Sequence, residues 1–569
     1  MNSLILAVLV MGGYVIAYHT YGKFLARKIF QINPSNECPS SALRDNHDFI
    51  PTQKEVLFGH HFTSIAGLGP IVGPAIAVIW GWIPAVIWIC LGSIFFGAVH
   101  DFGALVVSLR GKGRSIGDIA SDIVNKRVRT LFLLIIFFEL WIVIAVFALI
   151  MGILFKMYPI AVFPVWFELP IAFVLGFLVY KKGVNIFWPS IIAVIIMYIT
   201  VVIGAYCPID LKAIFDISDK AVLITWILIV LFVSSWLAST LPVQTLLQPR
   251  DYINSHQLII AMFMLALGVI IAHPPIVAPA LNLGAEGAPP LWPFIFVVLA
   301  CGAISGFHSL VSSGTSSKQC DSESSALFIG YGSMLWEGGL AILVVVAVAG
   351  GIGLGLTDSN GQLFTGLEAF QHHYSSWGAA SGLASKLSAF VQGSANLINS
   401  YGVPVNIALA VMAVFIVSFA STTVDTATRI QRYVIVELSN AYNIKWLSKR
   451  QYATLFAVIS AGLLAFYDGS GKGALKLWPL FGSVNQLLAG LALLVTTIYL
   501  ARKKINILFT GIPMIFMILM TGWAMTINIH KYYTSANWLL FLIGLAVFVL
   551  EIWMIIESFL VLRNVYKNR

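Results

Sequence analysis

The chain has 569 residues, 59% of them hydrophobic and only 10% charged, with a formal net charge of +9. A soluble domain carries about 25% charged residues so that its surface can face water; this composition excludes a soluble enzyme and puts lipid around most of the molecule. The positive charge does not indicate nucleic-acid binding either, because it is gathered in short stretches between long apolar runs.

In chain order, those runs predict about 15 membrane-spanning helices, each near the roughly 20 residues that cross a bilayer. The first lies near 3–21. It has no basic leader and runs directly into Lys23, so it reads as a retained span and not as a cleaved signal. Spans near 57–80, 83–109, 130–155, 165–180 and 186–206 follow, then 221–247, 257–275, 291–313 and 325–356. The last five are expected near 403–427, 452–467, 477–500, 507–528 and 537–562. The longest connection, about 357–402, is rich in Ser, Gly and Ala and reads as an outer loop; none is large enough for an ATPase domain. With the N-terminus outside and the C-terminus inside, most of the 33 Lys and Arg fall on the inner side, among them Lys23, Arg27, Arg110, Arg114, Lys126, Lys181, Arg450, Arg502 and Arg569. The glycine-rich stretch Gly469-Ser470-Gly471-Lys472-Gly473 lacks the residue order of a phosphate loop, and the HExxH and GxSxG patterns are absent. Five cysteines, odd in number and without CxxC spacing, imply no disulfide framework.

Two spans carry interruptions. In the second, Gly67 and Gly69 weaken the helix, and Pro70 and Pro74 remove backbone donors. In the seventh, Ser239 or Thr240 can cap a second half-helix that has Pro242 in its first turn. Backbone freed inside lipid is tolerated only where protein or a wet cavity lines it. Breaks five spans apart, in helices of opposite direction, are the pattern of two inverted five-helix repeats with solute bound near the midplane. On this reading 57–206 and 221–428 are the two repeats of a transport core, 57–428, and 1–28 and 452–562 are accessory. The expected substrate contacts are Ser64, Gly67, Gly69, Ser235, Ser239 and Thr240, since half-helix N-termini present N–H groups to a carboxylate.

Gly59-His60-His61-Phe-Thr-Ser-Ile-Ala-Gly-Leu-Gly-Pro strongly resembles the carbon starvation protein A (CstA) family. Further matches follow in order: Gly97-Ala-Val-His-Asp101-Phe, Gln248-Pro-Arg-Asp251-Tyr252, Cys301-Gly-Ala-Ile-Ser305-Gly-Phe-His308, Gly330-Tyr-Gly-Ser-Met-Leu-Trp-Glu337, Thr423-Val-Asp425-Thr-Ala-Thr-Arg429 and Leu477-Trp-Pro-Leu-Phe-Gly-Ser-Val-Asn485-Gln486. The resemblance covers about residues 55–490. It implies a transporter of the bacterial cytoplasmic membrane that scavenges nutrients, with uptake of peptides or of pyruvate, the latter by proton symport. It also suggests kinship with the LeuT/APC-like five-plus-five inverted-repeat transporters. The fold class expected is thus an all-α polytopic membrane protein.

Ionisable groups inside a span cost roughly 2.5–3.5 kcal/mol on insertion scales and are functional candidates by default. Asp101 lies nine residues before Arg110, roughly 13 Å inside at the helical rise. Asp101 is the first candidate for a proton carrier, followed by Glu337 and Glu139. Adjacent helical residues do not face each other, so His100 is not expected to pair with Asp101. His308, with Ser305 and Ser312, adds an imidazole and hydroxyls; the hydroxyls leave sodium coupling open beside proton coupling. His60, His61, Arg250 and Asp251 are read as gating groups. Neighbouring histidines on a helix diverge and no third ligand follows, so no metal and no cofactor is expected. Asp425 and Arg429, four residues apart, are expected to pair, and Asn485-Gln486 to serve packing. The partners expected are a small peptide or carboxylate solute, the coupling ion and lipid. The alternative from another class is an intramembrane hydrolase using His60 and His61.

Overall fold

A computed structural model describes residues 2–217, 220–358, 360–468 and 471–567; Gly469, Ser470 and Arg569 of the stretches named above lie outside it. With no water to satisfy peptide groups in a bilayer core, apolar runs close their hydrogen bonds locally and become helices. Those of this chain are α1 (Ser3–Ile29), α2 (Lys54–Ile65), α3 (Gly69–Trp80), α4 (Trp82–Arg110), α5 (Ile116–Ile123), α6 (Lys126–Met157), α7 (Pro159–Lys181) and α8 (Phe187–Tyr206). Then come α9 (Lys220–Thr240), α10 (Leu247–Ala272), α11 (Leu291–Val298), α12 (Ala300–Ala303), α13 (Gly306–Gly314) and α14 (Glu323–Leu354). A two-stranded hairpin, β1 (Leu356–Thr357) with β2 (Leu363–Phe364), leads to α15 (Gly366–His373) and α16 (Leu383–Asn399). The chain ends with α17 (Val405–Ala441), α18 (Arg450–Phe466), α19 (Trp478–Arg502), α20 (Leu508–Thr534) and α21 (Trp538–Lys567).

Among the described residues, 12 helices are long and apolar enough to cross a membrane, and the α2–α3 pair makes 13. The other two predicted spans fall short for local reasons. α18 has only 17 residues, and 291–314 is cut into three pieces. The molecule is an all-α polytopic membrane protein. Its lipid-facing helices carry bare apolar side chains, such as Leu9 at 65% and Phe263 at 69% exposure. In the central helix α19, by contrast, nearly every side chain from Leu480 to Ala501 is buried.

The first expected break is present and the second is elsewhere. α2 and α3 meet at a 47° bend across Ala66–Leu68, with Pro70 in the first turn of α3. α9, however, runs unbroken to Thr240. Pro242 follows the helix end, where a missing N–H costs nothing, and it opens the turn to α10: Thr245 N donates to Pro242 O at 2.9 Å. The second interrupted span is 291–314. There Ile304 and Ser305 are extended between α12 and α13 (φ −161° and −130°). Nor is 357–402 a plain loop: α16 packs on α17, α14, α10 and α3, and Asn396 Nδ2 donates to Gly351 O at 3.0 Å and to Gly355 O at 2.5 Å.

The packing is mirrored about α6 and α17, the most extensive helix pair. α3 lies on α14 as α13 lies on α4; α9 lies on α17 as α18 lies on α6; α10 lies on α17 as α19 lies on α6. Short α5 precedes and packs on α6 as α16 precedes and packs on α17.

Candidate functional site

The sequence places one wide π turn in α4 at Ser93–Gly97 and another in α14 at Leu327–Gly332. Such turns rotate the side chains that follow and are frequent at functional positions. Asp101 and Glu337 lie just beyond them. Gly330 has no side chain because one would run into the Phe102 backbone at 2.8 Å, so α14 approaches α4 at the level of Asp101. His308 on α13 stands between the two carboxylates. Its Nδ1 is 3.0 Å from Asp101 Oδ2 and its Nε2 is 3.3 Å from Glu337 Oε2. His100 Nδ1 is 2.7 Å from Asp101 Oδ1, which corrects the expectation that these neighbours do not pair: the imidazole reaches back over its own helix to the near oxygen. Asp101, His308 and Glu337 are fully buried and His100 nearly so, and among the described residues no Lys or Arg ion-pairs with any of them. The groups stand in the order imidazole–carboxylate–imidazole–carboxylate, with hydrogen bonds joining His100, Asp101 and His308, while Glu337 is in ion-pair range of His308 and neither of its oxygens has a hydrogen-bond partner among the described residues. Glu139 on α6 is equally buried, and neither of its oxygens has a partner among the described residues.

The break beside this chain is held by α19. Asn485 Oδ1 accepts from Phe307 N at 3.0 Å and from Ser305 Oγ at 3.1 Å, and Gln486 Nε2 donates to Phe296 O at 2.8 Å. Asn485-Gln486 thus pays the backbone its missing hydrogen bonds, a more specific role than the packing expected. Ser305 is engaged there, whereas Ser312 Oγ has no partner among the described residues.

A second buried cluster joins α2, α7, α9, α10 and α17. Arg250 Nη1 is 2.6 Å from Asp425 Oδ2, and Arg250 Nε is 3.5 Å from Glu168 Oε1. Ser235 Oγ donates to Asp425 Oδ1 at 2.6 Å and Ser239 Oγ to the Asp425 carbonyl at 3.0 Å. Ser418 Oγ and Asn254 Nδ2 donate to Glu168. His60 Nδ1 meets Asp251 Oδ2 at 2.5 Å, while His61 Nδ1 meets Ser316 Oγ at 2.7 Å, so the two histidines diverge onto different elements. The expected Asp425–Arg429 pair is not formed. On a helix inside a protein each charge takes the best partner the packing offers, and here these come from other segments. Arg429 Nη1 is instead 2.8 Å from Asp48 Oδ1, which Arg432 and the Tyr433 hydroxyl also reach. Burial works to raise the Asp48 carboxyl, but Arg432 and Arg429 hold it well below the usual carboxylate range. Asp45 shapes this loop by accepting from the N–H groups of His47, Asp48 and Phe49. Asp48 was not legible as a site residue, because its partners lie some 380 positions along the chain.

A cavity of about 580 Å³ enters from the opposite end of the bundle. Its walls include Trp377, Lys386, Trp478, Phe481 and Tyr532, and its depth reaches Gly69 and Cys301, beside the two breaks. Of the expected substrate contacts, Gly69 lines this space. A side chain at Gly69 would collide with Cys301, and one at Gly67 with the Thr423 hydroxyl at 2.5 Å. Ser64 Oγ is bonded to His60 O at 2.7 Å and lies 3.2 Å from Thr426 Oγ1. Ser235, Ser239 and Thr240 lie elsewhere with their hydroxyls engaged, and the half-helix argument for them ends with the unbroken α9.

The family model of carbon starvation protein CstA matches residues 2–524. The peptide transporter CstA of Campylobacter jejuni is 31% identical, covering 91% of this chain and 79% of that protein. The pyruvate/proton symporter BtsT of Escherichia coli is 30% identical, covering 93% and 82%. Among solved structures, a manganese transporter of Eremococcus coleocola aligns at a TM-score of 0.43 and 13% identity, covering 92% of this chain and 99% of that one. The relatives are named as transporters and not as hydrolases. With its interrupted spans, buried acid–imidazole chain and family match, the chain belongs to the CstA family of multi-span membrane transporters.

Proposed function

We propose that this chain is a proton-coupled symporter that brings a small carboxylate-bearing nutrient, a peptide or a pyruvate-like acid, across the bacterial cytoplasmic membrane by alternating access. The observation that carries this reading is the Asp101–His308–Glu337 chain, buried where α4, α13 and α14 meet beside an interrupted span. A proton taken up there lowers by one the negative charge of a site that holds two carboxylates in low dielectric, so its binding and release bias the packing of three helices. Proton is favoured over sodium because these carboxylates meet imidazole and not a cage of oxygens, and Ser305 is already committed to Asn485. The name of the Escherichia coli relative, a pyruvate/proton symporter, supports the same ion.

The mirrored packing supports a five-plus-five inverted repeat with the halves at 54–272 and 291–502, each opening on its interrupted span, in place of 57–206 and 221–428. In this arrangement α7 and α8 are an inserted hairpin, and α1, α20 and α21 are accessory. With the Lys- and Arg-rich loops inside, the 580 Å³ cavity is the outer entry, and Asp48 with Arg429 and Arg432 closes the inner end. The test is uptake by purified protein in liposomes. An inward pH difference of about one unit supplies about 1.4 kcal/mol per proton, or about tenfold accumulation at one proton per solute. Pyruvate and dipeptides should be compared under proton and sodium gradients. Equal final levels with and without any gradient would overturn symport, and accumulation under sodium alone would replace the ion.

A further inference from the structure

Lys386 stands in the first turn of α16, half-buried in the wall of the 580 Å³ cavity. Its setting is unfavourable for a cation on three counts. A helix N-terminus carries partial positive charge, which disfavours an ammonium group there and favours an anion. The N-cap of this 17-residue helix is Gly382, with no side chain to satisfy the first N–H groups. No carboxylate pairs with Lys386 among the described residues, and the cavity lining holds a second lysine, Lys531, and no Asp or Glu. Glu286, next in sequence to the lining residue Gly287, is exposed and forms no ion pair among the described residues. Burial lowers the Lys386 ammonium from the usual lysine value to about 8, the consequence of a charge held without its counter-charge. Trp377, Trp478 and Tyr532 wall the same space, giving an apolar surround with a few convergent polar groups, the usual make-up of a small-molecule site.

We propose that Lys386, the uncapped start of α16 and Lys531 form an anion-docking site in the entry cavity that takes the carboxylate of the solute before it reaches Gly69 and Cys301. The inference rests on reading this cavity as the entry route, and it assigns α16 a recognition role: the helix presents the positive group that the solute meets first. The same site would take a dipeptide or a short keto acid, since both offer the carboxylate.

The test is equilibrium binding, which needs no ion gradient. Quenching of tryptophan fluorescence, with Trp377 and Trp478 in the walls, is followed at pH 7 as purified wild type, Lys386→Met, Lys386→Arg and Asp101→Asn are titrated with pyruvate, with dialanine and with dialanine amide. The proposal expects Lys386→Met to bind both carboxylates about tenfold more weakly, Lys386→Arg to retain binding, and the amide to bind wild type and Lys386→Met alike. Asp101→Asn should bind as wild type does, so a failure of proton coupling shows in uptake and leaves this measurement unaffected. Equal carboxylate affinity in wild type and Lys386→Met, or no saturable quenching of wild type by either carboxylate, would overturn the docking site.

Discussion

Two groups of buried carboxylates sit in this protein at comparable burial, and they differ in their partners. Asp425 and Glu168 share Arg250, a guanidinium that stays charged at any accessible pH, and serine and asparagine donors fill the remaining positions. Asp101 and Glu337 share His308, whose unperturbed pKa lies within the physiological range. The first group is a fixed ionic joint between helices. The second has a partner that can itself gain or lose a proton. Burial alone therefore does not tell the two groups apart; the titratability of the partner does, and it is the ground on which the proposed coupling role falls to the second.

The largest effect is expected at the fixed joint. Arg250→Ala leaves two buried carboxylates uncompensated and should cost about 3–5 kcal/mol, read as a large fall in melting temperature in detergent. A protein that melts normally would show that Arg250 is not the counter-charge. Asn485→Ala removes the acceptor of Phe307 N and Ser305 Oγ at the second break and should cost about 1–3 kcal/mol; hydrogen exchange should rise at 304–307 before it rises elsewhere. Ser235→Ala removes one donor to Asp425 and should cost about 1 kcal/mol, with uptake otherwise intact. At the titratable chain the sign of the comparison reverses. Glu337→Gln should lower the melting temperature far less than Arg250→Ala, yet flatten the dependence of uptake on the imposed pH gradient. Equal thermal losses at the two sites would erase the distinction.

The membrane spans were legible because apolar runs of the length of a bilayer have no other stable form. So was the first break, where Gly67, Gly69, Pro70 and Pro74 act against the helix within a few residues. The second was assigned to 239–242 because Pro242 follows two hydroxyl residues, but a proline just past a helix end breaks nothing. The true break at 304–305 contains no proline; its signal was polar Asn485-Gln486 in a distant span, waiting to satisfy freed peptide groups. Asp101, Glu337 and His308 stood out as ionisable groups at mid-depth, while their adjacency depended on packing across three helices. Pairs such as Arg250–Asp425 and Asp48–Arg429 join distant segments, so local spacing pointed instead to Asp425–Arg429.

The central claim is tested most directly by measuring proton and solute fluxes together in liposomes, with a trapped pH dye and labelled pyruvate or dialanine, for wild type and Asp101→Asn. The account predicts solute-dependent proton entry with wild type, and with the variant no such entry and no accumulation, while exchange of labelled for unlabelled solute across the membrane continues. Proton entry that persists unchanged in Asp101→Asn would contradict it.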